Sequence, residues 1–337
     1  MRRWWRWGVG ILGVVALAAI PAMALAGAAD HEGTVVLYTA SQSDLVQAIV
    51  PLFEKKTGIK VQAVESGTSE IIKRAQAEKD NPLGDVFWGV GAEVLDAHKA
   101  LLEPYAPAEL DKVHPSYRKS PTWVPNNVTP MVIVYNKKMV SESEKPKAWK
   151  DLADPKWKGK IAFAAADRSG SAYIQLATIL SIYGDNAAGW KVVEDIMKNV
   201  KVLPSSSKVP NGVKDGEYAI GLSYEDIVGR FISGGAPIGA IYPTDGTAIP
   251  PDANAVIKGA KHPKAARLLV DFLLSKEVMT LLAEKFSLRS SRTDVISPPG
   301  LPDLKDIRAI NYDFNWAADN KDRLIKQWRD LMLKIGG

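Results

Sequence analysis

Short apolar runs rich in β-branched residues alternate along this chain with stretches whose apolar positions recur at three- and four-residue spacing. The run TVVLYTA, Thr34 to Ala40, follows Gly33 and has the length and make-up of a buried strand. The next stretch, DLVQAIVPLFEKKTG, places Leu45, Val46, Ile49, Leu52 and Phe53 on one helical face and stops at Gly58. The same pairing recurs in IKVQAVES with TSEIIKRAQAEKD, for which Thr68 or Ser69 is the expected cap, and in GDVFWGV with GAEVLDAHKALL. Further on, MVIVYNKK, GKIAFAAA, EYAIGLSYED and IGAIYP read as strands and SAYIQLATILSIYG as a helix. DGTAIPPDANAVIKGA is extended and broken by Pro and Gly, HPKAARLLVDFLLSKEVMTLLAEKF is helical, and the tail NKDRLIKQWRDLMLKI is an amphipathic helix. This alternation predicts an α/β fold of mostly parallel sheets with helices on both faces, and such sheets bind ligands at the carboxyl ends of their strands.

The first thirty residues break the pattern. Arg2, Arg3 and Arg6 precede an apolar run from Gly8 and the small residues Ala24-Leu25-Ala26, the arrangement of an export signal cut after Ala26, so residues 1–26 are set aside and the mature chain is expected in the periplasm. An uncleaved anchor is the competing reading, since the run is about long enough to span a bilayer. Removing the three arginines lowers the net charge from +5 to about +2, which gives no reason to expect a nucleic-acid partner. The absence of cysteine excludes a lipidated N-terminal Cys, a disulfide scaffold and thiolate metal sites.

Candidate chemistry concentrates where small hydroxyl residues meet helix starts. Ser66-Gly67-Thr68 follows KVQAVE, and Ser169-Gly170-Ser171 follows AAADR. Such turns either present a nucleophilic serine, cap a helix and nothing more, or offer free backbone N–H groups to an anion, helped by the partial positive charge of a helix N-terminus. The four histidines are scattered without ligand spacing, so no metal site and no cofactor are expected. Ser205 to Lys208 satisfies S-x-x-K, but neither S-D-N nor K-T-G accompanies it, which leaves a serine hydrolase built on Ser205 and Lys208 as a distant alternative to a non-enzymatic role.

From LYTASQSDLVQAIVPLFEKKTGIKV through GDVFWG, MVIVYNKK, WKDLADPKWKGKIAF, DGEYAIGLSYED and HPKAARLLVDFLLSKE to RTDV, the chain resembles the periplasmic solute-binding proteins of ABC importers, in the branch that binds ferric iron or phosphoanions. The resemblance spans the mature chain and implies a two-lobed type II binding fold that closes on solute like a hinged clamp. Crossings are expected near Asn126 to Pro130 and Thr244 to Pro251, giving a first lobe of residues 27–128 plus 249–337 and a second of 129–248.

On that plan each lobe contributes one of the two S-G-[ST] turns, which favours an anion cradle closing from both sides. The expected ligand-binding set is Ser41, Gln42, Ser66, Gly67, Thr68, Thr129, Arg168, Ser169, Gly170, Ser171, Ser207, Lys208, Tyr224 and Glu225, with Arg292 as a further candidate charge. Iron-binding relatives carry paired tyrosines where this chain has Tyr224-Glu225-Asp226, a His at Gln42 and a Glu at Val90, which demotes ferric iron to an alternative. The preferred ligand is a small phosphate- or phosphonate-bearing organic anion of the sugar phosphate or 2-aminoethylphosphonate type, whose hydroxyls or ammonium donate to Glu225. The resemblance further implies an inner-membrane permease as partner, with a monomeric receptor.

Overall fold

The computed structural model describes residues 32–336; the expected export signal and its cleavage point lie outside the described residues. Among the described residues the strands are, in chain order, β1 (Thr34–Thr39), β2 (Lys60–Glu65), β3 (Val86–Gly91), β4 (Leu102–Glu103), β5 (Val124–Val128), β6 (Met131–Asn136), β7 (Ile161–Ala164), β8 (Val200–Leu203), β9 (Ile220–Tyr224), β10 (Ile238–Ile241), β11 (Pro251–Ile257) and β12 (Arg289–Ser290). They form two sheets, one ordered β12-β5-β11-β3-β1-β2 with β4 beside β11, the other β10-β6-β9-β7-β8.

The β-branched run of β1 takes the interior of the first sheet, parallel to β2 and β3, so that Thr39 lies beside both Glu65 and Trp88. The helix Ser43–Thr57 lays Leu45, Val46, Ile49 and Phe53 against Val35, Leu37 and Trp88. Gly58 ends that helix at φ 77°, a left-handed position that glycine occupies without a Cβ penalty. Trp88 is buried in this core. In the second lobe, β6, β7 and β9 pack on the apolar helix Gly170–Tyr183 around Trp149, Phe163 and Leu176.

Two features differ from the sequence reading. The sheets are mixed: β1, β2 and β3 are parallel, as are β7, β8 and β9, but β11 runs antiparallel to β3 and β5, and β6 antiparallel to β9 and β10. The reason is the connectivity, because the strands that carry the chain between lobes run against the βαβ strands they join. The chain leaves the first sheet at Val128, enters the second at Met131, and returns between Ile241 and Pro251.

The expected placement of all of 249–337 in the first lobe is the second point, and it requires correction. Residues after β12 cross again, alongside the returning segment: Ile310 N–H donates to the Thr247 carbonyl, Thr247 N–H to the Arg308 carbonyl, and the Arg308 side chain to the Thr244 carbonyl. The helices Phe314–Asp319 and Lys321–Ile335 then pack with the second lobe, burying Ala317, Leu324, Trp328 and Met332 in the core around Trp149. Burying a side chain the size of Leu324 or Met332 stabilises by about 1.5–3 kcal/mol, whereas the exposed pair of Arg329 with Asp167 on the same helix adds about 0–1 kcal/mol. An amphipathic pattern specifies that a helix buries one face; it does not specify which lobe supplies the other side.

Candidate functional site: the cleft between the lobes

The carboxyl ends of the parallel strands define one edge of each sheet. In the first lobe that edge carries Ala40–Ser43 after β1, Ser66–Thr68 after β2, and Gly91–Glu93 after β3; Asp252 in β11 lies opposite Gly91. In the second it carries Ala165–Ser171 after β7, Ser205–Ser207 after β8, and Tyr224–Asp226 at the end of β9. The two edges meet. Arg230 of the helix Glu225–Ser233 donates across the boundary to Gln42 Oε1 at 2.6 Å and pairs with Asp44 at 3.2 Å.

The second-lobe turn has the form of an anion cradle. Ser169 takes the N-cap position, its Oγ accepting from Ala172 N–H at 3.2 Å and lying 3.1 Å from Ser171 Oγ. Gly170 and Ser171 open the helix, where N–H groups have no intrahelical acceptor, and the space beside Gly170 is open. Arg168 stands exposed directly before them.

The first-lobe turn is different, and its expected role as an anion cradle is revised. Gly67, not Thr68 or Ser69, occupies the N-cap position, with no side-chain cap. The Glu70 carboxyl folds back over Gly67, within 2.3 Å of where a Cβ would stand, and exposed Glu65 flanks Ser66. Two carboxylates at this turn repel an anion.

Other expected residues fall as follows. Ser41 packs against Gly89, which adopts φ 68° and has no room for a side chain beside the serine hydroxyl. Gln42, expected to touch solute, is exposed and accepts from Arg230 across the boundary between the lobes. Thr129 lies at the crossing, its Oγ1 3.4 Å from Asn127 Nδ2. Ser207 and Lys208 are exposed, and Ser206 of the same loop is the residue that reaches the Tyr224 phenol. Ser205 Oγ meets Ser207 Oγ at 3.2 Å, and Lys208 reaches Ser205 only through a backbone bond, so the S-x-x-K pattern assembles no nucleophile and base. Arg292 is buried between Asp294 and Glu109 on the first lobe and is not available to a solute.

Glu225 is the clearest correction. It is 1% exposed and closed into a network with Arg289, whose Nε and Nη2 donate at 2.9 and 2.8 Å, and with Tyr242, whose hydroxyl donates at 2.6 Å. Its lone pairs are committed to a bridge between lobes, and the helix that begins at Glu225 turns the next side chain, Asp226, to the cleft instead.

Three carboxylates that the sequence reading did not select converge there. Asp226 is buried with Oδ1 lacking any hydrogen-bond partner, and Glu93 Oε2 is in the same condition. Asp252 accepts from Asn127 Nδ2 at 3.1 Å. Burial is the main cause of their perturbation: it pushes Asp226 up to about 7, with Asp252 adding repulsion against the pull of Arg230, and pushes Asp252 up to about 7, with Glu93 adding repulsion against the Asn127 hydrogen bond. Burial likewise raises Glu93, opposed by Lys321. Tyr224 is held neutral by burial and by Asp226. Tyr312 and Tyr173, both within electrostatic reach of Glu93, stand at the C-terminal side, where Tyr173 donates to the Ala317 carbonyl. A depression of about 490 Å³ between Ser143 and Trp157 lies by the N-terminal end of β7, at the opposite edge of the second sheet, and takes no part in this site.

Two mixed α/β lobes, joined by crossing segments around a polar cleft, define a solute-binding receptor. Residues 48–309 match the family of bacterial extracellular solute-binding proteins, and the chain belongs to that family. It is 28% identical over 321 residues to an Fe(3+)-binding periplasmic protein of Serratia marcescens, covering 90% of this chain and 93% of the relative. It is 24% identical over 300 residues to a putative 2-aminoethylphosphonate-binding periplasmic protein of Salmonella typhimurium, covering 85% of each. Its fold superposes on the periplasmic binding protein AfuA of Actinobacillus pleuropneumoniae, solved with fructose-6-phosphate, with a TM-score of 0.78 at 25% identity over 89% of this chain and 98% of the other.

Proposed function

We propose that this protein is the periplasmic receptor of an ABC importer and captures a small organic solute that carries a phosphate or phosphonate at one end and hydrogen-bond donors, hydroxyl or ammonium, at the other. The reading rests on one juxtaposition: the helix opened by Gly170 and Ser171 beside Arg168 brings Tyr173 within electrostatic reach of Glu93, and Glu93 and Asp226, each with one buried oxygen that has no partner, both act on Asp252. The helix N-terminus and Arg168 suit an oxyanion, while buried carboxylates cost free energy until donors reach them. This pairing keeps the sugar phosphate or aminoethylphosphonate class and moves the donor-accepting role from Glu225 to its neighbour. On closure the two lobes together form the surface offered to an inner-membrane permease.

Ferric iron fits less well. Gln42, where iron-binding relatives carry a His, is engaged by Arg230, and Val90, where they carry a Glu, is fully buried.

The test is isothermal calorimetry against fructose 6-phosphate, glucose 6-phosphate and 2-aminoethylphosphonate, with ferric citrate as control. Saturable binding of at least one organophosphorus solute is expected, weakened tenfold or more by Asp226→Asn. Binding of ferric citrate alone, or organophosphorus binding indifferent to Asp226→Asn and to Arg168→Ala, refutes the assignment.

A further inference from the structure

The helix Glu225–Ser233 belongs to the second lobe, yet its contacts reach into the first at two places. At one side Gly229 packs so closely on Ser287 that a Cβ there would stand 3.0 Å from the serine Cβ, and Glu225 is clamped by Arg289. At the other side Arg230 spans the cleft to Gln42 and Asp44, which flank the start of the helix Ser43–Thr57. The same helix carries Asp226 four residues before Arg230, and an acid placed four residues ahead of a base on a helix is in position to pair with it. The two do not pair here: the guanidinium points across the cleft and Asp226 Oδ1 is left buried and unpartnered.

We propose that Arg230 exchanges partners as the lobes move, pairing with Asp226 on its own helix when they are apart and with Gln42 and Asp44 when they are together. In the open arrangement Asp44 and Gln42 are out of reach, and Asp226 is the acidic neighbour Arg230 retains. Arg230 then fills the place at Asp226 that a solute donor occupies in the closed one. A solute that brings its own donor to Asp226 releases Arg230 to the far lobe, so capture and closure become one event. Without such a solute, closing leaves Asp226 unpaired beside Glu225, Asp252 and Tyr224, which opposes closure. The exchange therefore holds the empty receptor open and the loaded one shut.

The chain has no cysteine, so spin labels on Gln62→Cys and Lys201→Cys, exposed on edge strands of opposite lobes, report the interlobe distance of the full protein by double electron–electron resonance. The measurement is made with no solute present, so an error in the solute class proposed above does not affect it. Asp226→Asn removes the competing acceptor and is expected to raise the closed-to-open ratio at least about two- to fivefold, the range of a partly exposed ion pair, and by more at pH 8 than at pH 5. Arg230→Gln and Asp44→Asn are expected to lower it by a similar factor, and the double variant Asp226→Asn with Arg230→Gln to follow Arg230→Gln. Thermal melts check that each variant is folded; Asp44→Asn, at an exposed site, keeps the test usable if a second-lobe variant is not. An Asp226→Asn variant whose closed population is unchanged or reduced overturns the exchange, as does an unchanged population in Arg230→Gln or Asp44→Asn.

Discussion

Replacing Asp226 by Asn should make the closed arrangement, in which Arg230 is turned away from Asp226, more stable, and the size of the gain should depend on pH in a calculable way. A carboxyl raised from about 3.9 in the unfolded chain to about 7 in the fold holds its proton more firmly when folded. Its contribution is fully present below the unfolded value and is lost as pH rises through 7, because the folded state then carries an ionised, buried, unpaired group. A rise of roughly three pH units corresponds to about 4 kcal/mol at pH 8, and to less than half of that at pH 5, where the unfolded chain is largely ionised and the native group is not. Asn has the same shape and no charge to desolvate. Urea unfolding of wild type and Asp226→Asn should therefore differ in favour of the variant by at most about 4 kcal/mol at pH 8, reduced to the extent that the open form pairs Asp226 with Arg230, and by less than half of that at pH 5. Relaxation of Asp252, which shares the repulsion, belongs to the same measured gain. A variant less stable than wild type at pH 8, or a difference independent of pH, refutes the claim that Asp226 is held in the cleft against its own ionisation.

Arg289→Met should cost about 3–5 kcal/mol in denaturant unfolding, because Glu225 would stay buried without its counter-charge, and adding Glu225→Gln should recover part of the loss. Ser169→Ala removes a helix cap and should cost about 1 kcal/mol in thermal or urea melts, with Gly170 and Ser171 N–H groups still available to solute. Gly189→Ala would place a methyl 1.8 Å from the Gly184 carbonyl oxygen and should destabilise by about 1–3 kcal/mol, read as a lowered urea midpoint.

Much of the architecture was legible because the strands and first helices of each lobe are decided locally. TVVLYT can bury as a strand whatever its neighbours are, and Gly58 stops its helix for steric reasons. The site was legible only in part. Ser169 to Ser171 were identifiable because capping chemistry is local, and their resemblance to Ser66 to Thr68 was real in sequence; the difference came from Glu70, whose carboxyl folds onto Gly67. Glu225 and Asp226 are adjacent acids, and choosing between them required knowing that Arg289, 64 residues away, would claim the first. Glu93, Asp226 and Asp252 come from widely separated positions that only the pairing of β3 with β11 and the crossing of the lobes bring together. The tail's choice of lobe is likewise a long-range decision, fixed by Trp328 and Leu324 finding the Trp149 core.

The path of residues 314–335 sets an order on folding. The first sheet takes β11 and β12 from late in the chain, and the second lobe cannot seal its apolar interior until a still later helix arrives, whose Arg329 also steadies Asp167 beside the Arg168–Ser171 loop. A chain lacking those last turns therefore has every strand of the first sheet but an unsealed second half, and binding competence arrives only once the C-terminal helices have docked.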